Sequence, residues 1–216
     1  MSLSPGTFIV TGAAGGLGRA VAEIYSKGNH PYTGIFTVRD GSTQSAHDLQ
    51  KLLSSSGRSL TTAVVDLSDL SSVRKFASDI KSKVQSGELK PIRALLLNAG
   101  TQDITGMKFT SDGLEHTFVV NYLANVLLVL LLLPSIDREN GRIVFVSSSA
   151  HDPTHWLNKN FKPDAIAWKE PGELARPTVP DQEGDERNAG LRRYGTSKLW
   201  LLMFMSVSIG LEELLI

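Results

Sequence analysis

The chain has 216 residues, with 22 basic and 22 acidic side chains and a formal net charge of zero, so no charge excess points to nucleic acid or an anionic membrane surface. Hydrophobic residues make up 41%, as in ordinary globular proteins, and the length supports a single domain over residues 1–216 with a substantial core. Cysteine is absent, which excludes disulfides and thiolate metal sites and fits a reducing compartment.

The start, Met1-Ser2-Leu3-Ser4-Pro5-Gly6, lacks the charged residues and apolar run of a secretory signal. A cytoplasmic protein is therefore expected. Short apolar runs then alternate with helix-length segments. Residues 7–10 read as a first strand and 16–27 as a helix; 34–38 as a second strand and 46–54 as a helix. A third strand over 61–65 precedes a helix over 70–84, and a fourth over 92–97 precedes a long helix over 113–133. A fifth strand covers 142–146, and a helix runs onward from Tyr194. Such alternation implies crossover units and a doubly wound parallel sheet with helices on both faces, a three-layer αβα fold of Rossmann-like type.

Two segments stand apart. The most apolar run, Val126 to Leu133 between Asn125 and Pro134, falls short of the roughly 20 residues of a membrane span, so a buried helix and no membrane contact are expected. Residues 151–193 show no strand, carry Pro153, Pro163, Pro171, Pro177 and Pro180, and are dense in charge around Asp181–Arg187. Loops longer than about 12–15 residues are usually functional or disordered. This Pro-rich insertion reads either as a surface excursion or as a flap over a substrate. His151 and His155 lie four apart, but without a metalloprotease pattern or cysteine partners they do not amount to a metal site.

The chemistry is concentrated in two motifs. Thr11-Gly12-Ala13-Ala14-Gly15-Gly16-Leu17-Gly18 directly follows the first strand and opens a helix, the setting in which glycines admit a pyrophosphate and the helix N-terminus supplies free N–H groups. Far downstream, Tyr194-Gly195-Thr196-Ser197-Lys198 places a phenol and an ammonium four positions apart, on one helix face. An unperturbed phenol titrates near 10, and a neighbouring ammonium favours the phenolate.

In this order the two motifs resemble the short-chain dehydrogenase/reductase family. The resemblance implies an oxidoreductase that moves a hydride between a nicotinamide cofactor and a small carbonyl or alcohol substrate. Tyr194 would be the acid/base, and Lys198 would also bind the nicotinamide ribose. Gly12, Gly16 and Gly18, with Leu17 between them, match the family's glycine turn. Asp66-Leu67 would lie against the adenine, although Asp66 taken alone reads as a helix cap. Asn98-Ala99-Gly100 resembles the motif lining the cofactor cleft. Ser148, the middle of Ser147-Ser148-Ser149, would orient the substrate oxygen; alternation in an extended segment points Ser147 and Ser149 the opposite way. Asn121 matches the helix asparagine that serves the lysine through water.

Cofactor choice rests on the end of the second strand, where NAD enzymes place a carboxylate and a 2′-phosphate calls for arginine. Val38 is followed by Arg39 and then Asp40, so NADP(H) is favoured over NAD(H), with Asp40 as the competing feature. By the same resemblance the 126–133 helix would pack in a homodimer or larger assembly. Only 18 residues follow Lys198, too few for the family's remaining strands and substrate cover. That shortage keeps an alternative open: a non-redox nucleotide-binding or scaffold protein that retains the fold.

Overall fold

The computed structural model describes residues 5–152, 154–155, 170–178 and 184–212, with side chains up to residue 206. The chain divides into two compact units, residues 1–99 with 127–146 and residues 100–126 with 147–216. Each is described by itself.

The first unit is built on five parallel strands: β1 (Gly6–Val10), β2 (Tyr32–Val38), β3 (Leu60–Val64), β4 (Ile92–Leu97) and β5 (Arg142–Phe145). Their spatial order is β3-β2-β1-β4-β5. All five residues of β1 are buried, as is the last part of β2, because a parallel sheet is covered on both faces and its inner strands read as continuous apolar runs. At the edges the pattern changes. β5 alternates exposed and half-buried positions, and Val144 is left exposed.

Three helices accompany the strands: α1 (Gly16–Lys27), α2 (Gln44–Ser55) and α3 (Leu70–Gln85). Their starts are chemically distinct. Thr43 caps α2 by accepting from the Ala46 N–H, and Asp69 caps α3 by accepting from Ser71. α1 begins at Gly15 with no side-chain cap and no acidic residue in its first turn. The core joins Phe8 and Val10 of β1, Phe36 and Val38 of β2, and Leu49 and Leu53 of α2. Phe8 stacks on Tyr25 of α1 at 4.2 Å between ring centroids.

In the second unit, α4 (His116–Phe118) runs into a π-helical turn, Val119–Leu123, and then into α5 (Ala124–Leu132), whose residues from 127 on belong to the first unit. The helix expected from 113 therefore starts at His116 and is widened in its middle. The wider turn leaves carbonyls without their usual partners, and Asn125 Nδ2 donates to those of Val120 and Asn121, at 3.1 and 2.9 Å. The helical run His116–Ser135 has 20 residues and is long and apolar enough, by length and composition, to cross a membrane. The helix is longer than the apolar run Val126–Leu133 on which the short span was judged, and Leu128 and Leu132 within it are fully buried, as a core helix requires.

The insertion contains a short helix, α6 (Pro171–Ala175), with Pro171 in its first turn, and no strand occurs among its described residues. The final helix, α7 (Glu186–Glu212), starts two turns before the expected Tyr194. Its charged opening hides it from a search for apolar periodicity, yet Asp185 accepts from Asn188 and Arg192 there, so the charges are met locally.

Leu49 is fully buried in the first unit, whereas Ile24 is 69% exposed. Leu49→Ala is expected to lower unfolding stability by about 2–5 kcal/mol, and Ile24→Ala by no more than about 0.5 kcal/mol. Denaturant melts of the two variants check this; equal losses would contradict the packing described.

Candidate active site

Strand order reverses between β1 and β4, and open parallel sheets bind ligands beyond the carboxyl ends of the strands at such a point. Here β1 ends at Val10 and β4 at Leu97, so the two small-residue turns follow side by side. Thr11 ties them together: its Oγ1 accepts from the N–H groups of Asn98 and Ala99, both at 3.0 Å. In return Asn98 Nδ2 donates to the Thr11 carbonyl at 3.0 Å.

The glycines of the first turn do different work. Gly12 has φ +68°, and a Cβ there would meet Ala99 at 2.9 Å. At Gly18 a Cβ would lie 2.5 Å from the Gly12 carbonyl oxygen. Both are required by the fold itself. Gly16 is not, since no atom of the described residues outside its own turn lies within 4 Å of where its Cβ would stand. Open space, a helix N-terminus without a side-chain cap and a first turn without an acid together form a cradle suited to a pyrophosphate. Leu17, beside it, is 58% exposed.

At the end of β2 both Arg39 and Asp40 are exposed. One oxygen of Asp40 accepts from the N–H and the hydroxyl of Ser42, at 2.8 and 2.7 Å, and these bonds lower its pKa from the usual carboxylate value. Asp66 makes hydrogen bonds of the same pattern, one oxygen accepting from the Ser68 N–H and hydroxyl at 2.8 and 2.7 Å. It does not cap the following helix, a role that falls to Asp69, because the chain makes a further turn before α3 begins. Leu67 next to it is buried.

In the second unit, Asn121 is fully buried at the centre of the π-helical turn. Its Oδ1 accepts from the Thr101 N–H at 2.7 Å, and its Nδ2 donates to the Thr101 carbonyl at 2.9 Å and to Ser197 Oγ at 3.0 Å. This amide joins the loop after Gly100 to α7. A Cβ on Gly100 would lie 3.2 Å from Asn121 Oδ1 and 3.4 Å from Lys198 Nζ, so the expected residues Gly100, Asn121 and Lys198 converge. Tyr194 is half-buried, with Lys198 Nζ 5.7 Å from its ring centroid.

Ser148 begins the turn Ser149–His151, its Oγ accepting from the Ala150 N–H at 3.2 Å, and that turn packs on α7. The Oγ of Ser147 is buried without a hydrogen-bond partner among the described residues. Sequence reasoning passed over Asp103, Glu115 and Arg193, which surround the start of α4. Their signal was weak: isolated charges in segments with no motif. Asp103 and Glu115 are 5% and 1% exposed, and Glu115 Oε1 lies 3.4 Å from Arg193 Nε.

Lys198 is 3% exposed, and burial pulls its ammonium down from 10.5 to about 8. The unfolded chain then binds a proton that the folded chain releases between these values, so stability rises with pH across that window. Below it the charged lysine costs the fold on the order of 3 kcal/mol, at about 1.4 kcal/mol per pKa unit. Lys198→Met is accordingly expected to be more stable than the parent at pH 7, with the gain fading as the pH is raised from about 8 towards 10.5. Denaturant midpoints at both ends of this range check the sign; a gain independent of pH would contradict a desolvated ammonium.

Comparison with known proteins places the arrangement in context. The family described as short chain dehydrogenase matches residues 6–156. The chain is 38% identical to short-chain dehydrogenase iccH of Talaromyces variabilis, over 96% of this chain and 65% of that protein. It spans only about half of other curated relatives, 53% of short-chain dehydrogenase fogG of Aspergillus ruber among them. Among solved structures, an NADPH-bound carbonyl reductase from chicken fatty liver superposes with a TM-score of 0.66 at 22% identity, covering 98% of this chain and 76% of that one. A metagenomic short-chain oxidoreductase in complex with NADP gives 0.62 at 19% identity, with coverage of 96% and 77%.

Proposed function

The chain belongs to the short-chain dehydrogenase family, and from that premise we propose that it is an NADP(H)-dependent reductase or dehydrogenase acting on a small carbonyl or alcohol. The observation that carries the proposal is the Tyr194–Lys198 pair. A deeply desolvated ammonium sits one turn from a half-buried phenol, beside a buried asparagine from another helix. A desolvated lysine beside a phenol is the kind of perturbed group that clusters at functional sites.

The glycine turn and the free start of α1 would hold the pyrophosphate, and Leu67 and Asp66 would line the adenine side. When bound, the cofactor supplies or accepts the hydride. Tyr194 Oη gives its proton to the carbonyl oxygen in reduction and takes it back in oxidation, the ordinary duty of a general acid–base group. Lys198 stabilises the phenolate between these states and hydrogen-bonds the nicotinamide ribose. Ser148 donates its hydroxyl to the substrate oxygen and fixes its direction. Asn121 holds Lys198 and the loop at Gly100 in register.

Preference for the phosphorylated cofactor rests on Arg39. Asp40, the competing carboxylate, is turned onto Ser42, which supports Arg39 as the group presented to a 2′-phosphate. The NADP and NADPH held by the two solved structures fit this reading. We further propose a homodimer in the cytoplasm, supported by the exposed Leu130 and Leu133 on and just after α5.

Tyr194→Phe removes the proton donor and nothing else. Turnover of an activated aldehyde with NADPH is expected to fall by about 10²–10⁴-fold, with NADPH affinity from nicotinamide fluorescence nearly unchanged. Full turnover in this variant would refute the assignment, and cofactor binding by the parent without turnover on any carbonyl would favour the non-redox alternative.

Arg39→Asp puts a like charge against the 2′-phosphate. NADPH affinity is expected to drop by at least about a hundredfold, a loss of two steps of roughly 1.4 kcal/mol per decade, while NADH affinity changes little. Equal losses for both cofactors would assign Arg39 a structural role.

A further inference from the structure

Three residues on one face of α7, at positions i, i+3 and i+7, seat this helix against the chain around the start of α4. Gly190 comes first. A Cβ there would lie 2.1 Å from the Asp103 carbonyl oxygen and 2.8 Å from Ile104 Cα, so the two backbones approach as closely as glycine allows. Arg193, adjacent to Tyr194, is next. Its Nε lies 3.4 Å from Glu115 Oε1, and its Nη2 donates to the Asp103 carbonyl at 3.3 Å. Ser197 completes the series by accepting from Asn121 and donating to the Tyr194 carbonyl at 2.7 Å.

Both carboxylates in this cluster are rigidly held. Glu115 accepts from the N–H groups of Thr117 and Phe118, at 3.1 and 2.6 Å. Burial raises its carboxyl above the usual range despite those bonds and Arg193. Desolvation also pushes Asp103 upward, but bonds from Lys108 at 2.8 Å and His116 at 2.6 Å outweigh it. The Glu115 N–H donates to the Ala175 carbonyl at 2.8 Å, so α6 is fastened at the same point.

We propose that Asp103, Glu115 and Arg193 form a positioning cluster for the acid/base tyrosine, with Gly190 setting how closely α7 can approach. This rests on the reading of Tyr194 as proton donor. None of the three cluster residues touches reacting atoms in this account; they act through the helix. Successive residues on a helix are about 100° apart, so a slide or rotation of α7 at Arg193 is passed directly to Tyr194. Catalytic groups tolerate about 0.5 Å of displacement, and a 1 Å error can cost about a hundredfold in rate. Arg193 links the cluster to the site because it directly precedes the phenol on the helix.

The test uses the full chain with tyrosine isotope-labelled at ring Cζ. There are four tyrosines, and the Tyr194 signal is identified by its loss in Tyr194→Phe. Arg193→Met removes the guanidinium, and Glu115→Gln removes the charge while keeping an acceptor for the helix start. In each, the Tyr194 signal is expected to shift by more than its line width or to split, with Tyr25 and Tyr32 unmoved. With para-nitrobenzaldehyde and NADPH, kcat is expected to fall by about ten- to a hundredfold while NADPH affinity holds. Arg193→Lys should recover part of that loss. In a Tyr194→Phe background, Arg193→Met should lower kcat no further. An unmoved Tyr194 signal in folded Arg193→Met or Glu115→Gln protein overturns the proposal. If Arg193→Met does not fold, Arg193→Lys and Glu115→Gln carry the same requirement. Because the spectra need no turnover, failure of Tyr194 as proton donor would appear separately, as full activity in Tyr194→Phe.

Discussion

The reversal of strand order between β1 and β4 is the constraint on which the first unit depends. At such a reversal the carboxyl ends of the two central strands stand together. The chain has to finish both strands tightly there. It does so with Thr11 and Asn98, whose reciprocal hydrogen bonds join the two turns. Gly12 and Gly18 permit the close approach of backbone that this joint demands. Once these groups are satisfied internally, Gly16 and the uncapped start of α1 are left facing open space. α2 and α3, by contrast, are both capped by polar side chains at their N-caps, which is why the start of α1 is the one we propose for the pyrophosphate.

The second unit faces a different problem, that of finding partners for buried polar groups. Asn121 is fully buried, and its amide meets Thr101 and Ser197. The π-helical turn aims it, and Asn125 satisfies the carbonyls that the turn releases. An unpaired buried amide group would cost about 1–3 kcal/mol, so the bonds made by Asn121 weigh heavily in holding the turn. Lys198 is the deliberate exception to economical burial. Its lowered pKa, caused by desolvation, is a standing cost to stability, of the kind that functional sites impose on folds.

The sequence alone was sufficient for the sheet and for the motifs at its ends. Continuous apolar runs marked β1, β2 and β4 because a doubly covered strand has no polar face. The helix over 16–27 and the strand over 92–97 stand as read, since glycine turns and apolar periodicity bound them on both sides. Residues 12, 16 and 18 could be picked out because glycine is the one residue whose absence of a side chain is itself a signal.

Tertiary structure decided the rest. Nothing local shows that Asp69 rather than Asp66 caps α3, because both are aspartates within one turn of the helix and only the path of the chain separates them. Nor does periodicity reveal the π-helical turn, which one extra residue per turn produces inside an otherwise regular apolar helix. The start of α7 at Glu186 was hidden for a related reason. Its first turns are charged and glycine-containing, and they are held by Asp103 and Glu115, 75 to 90 residues away along the chain. Local patterns report what a segment does with its own hydrogen bonds and its own apolar face. Which buried charge meets which is settled only when distant segments are packed together.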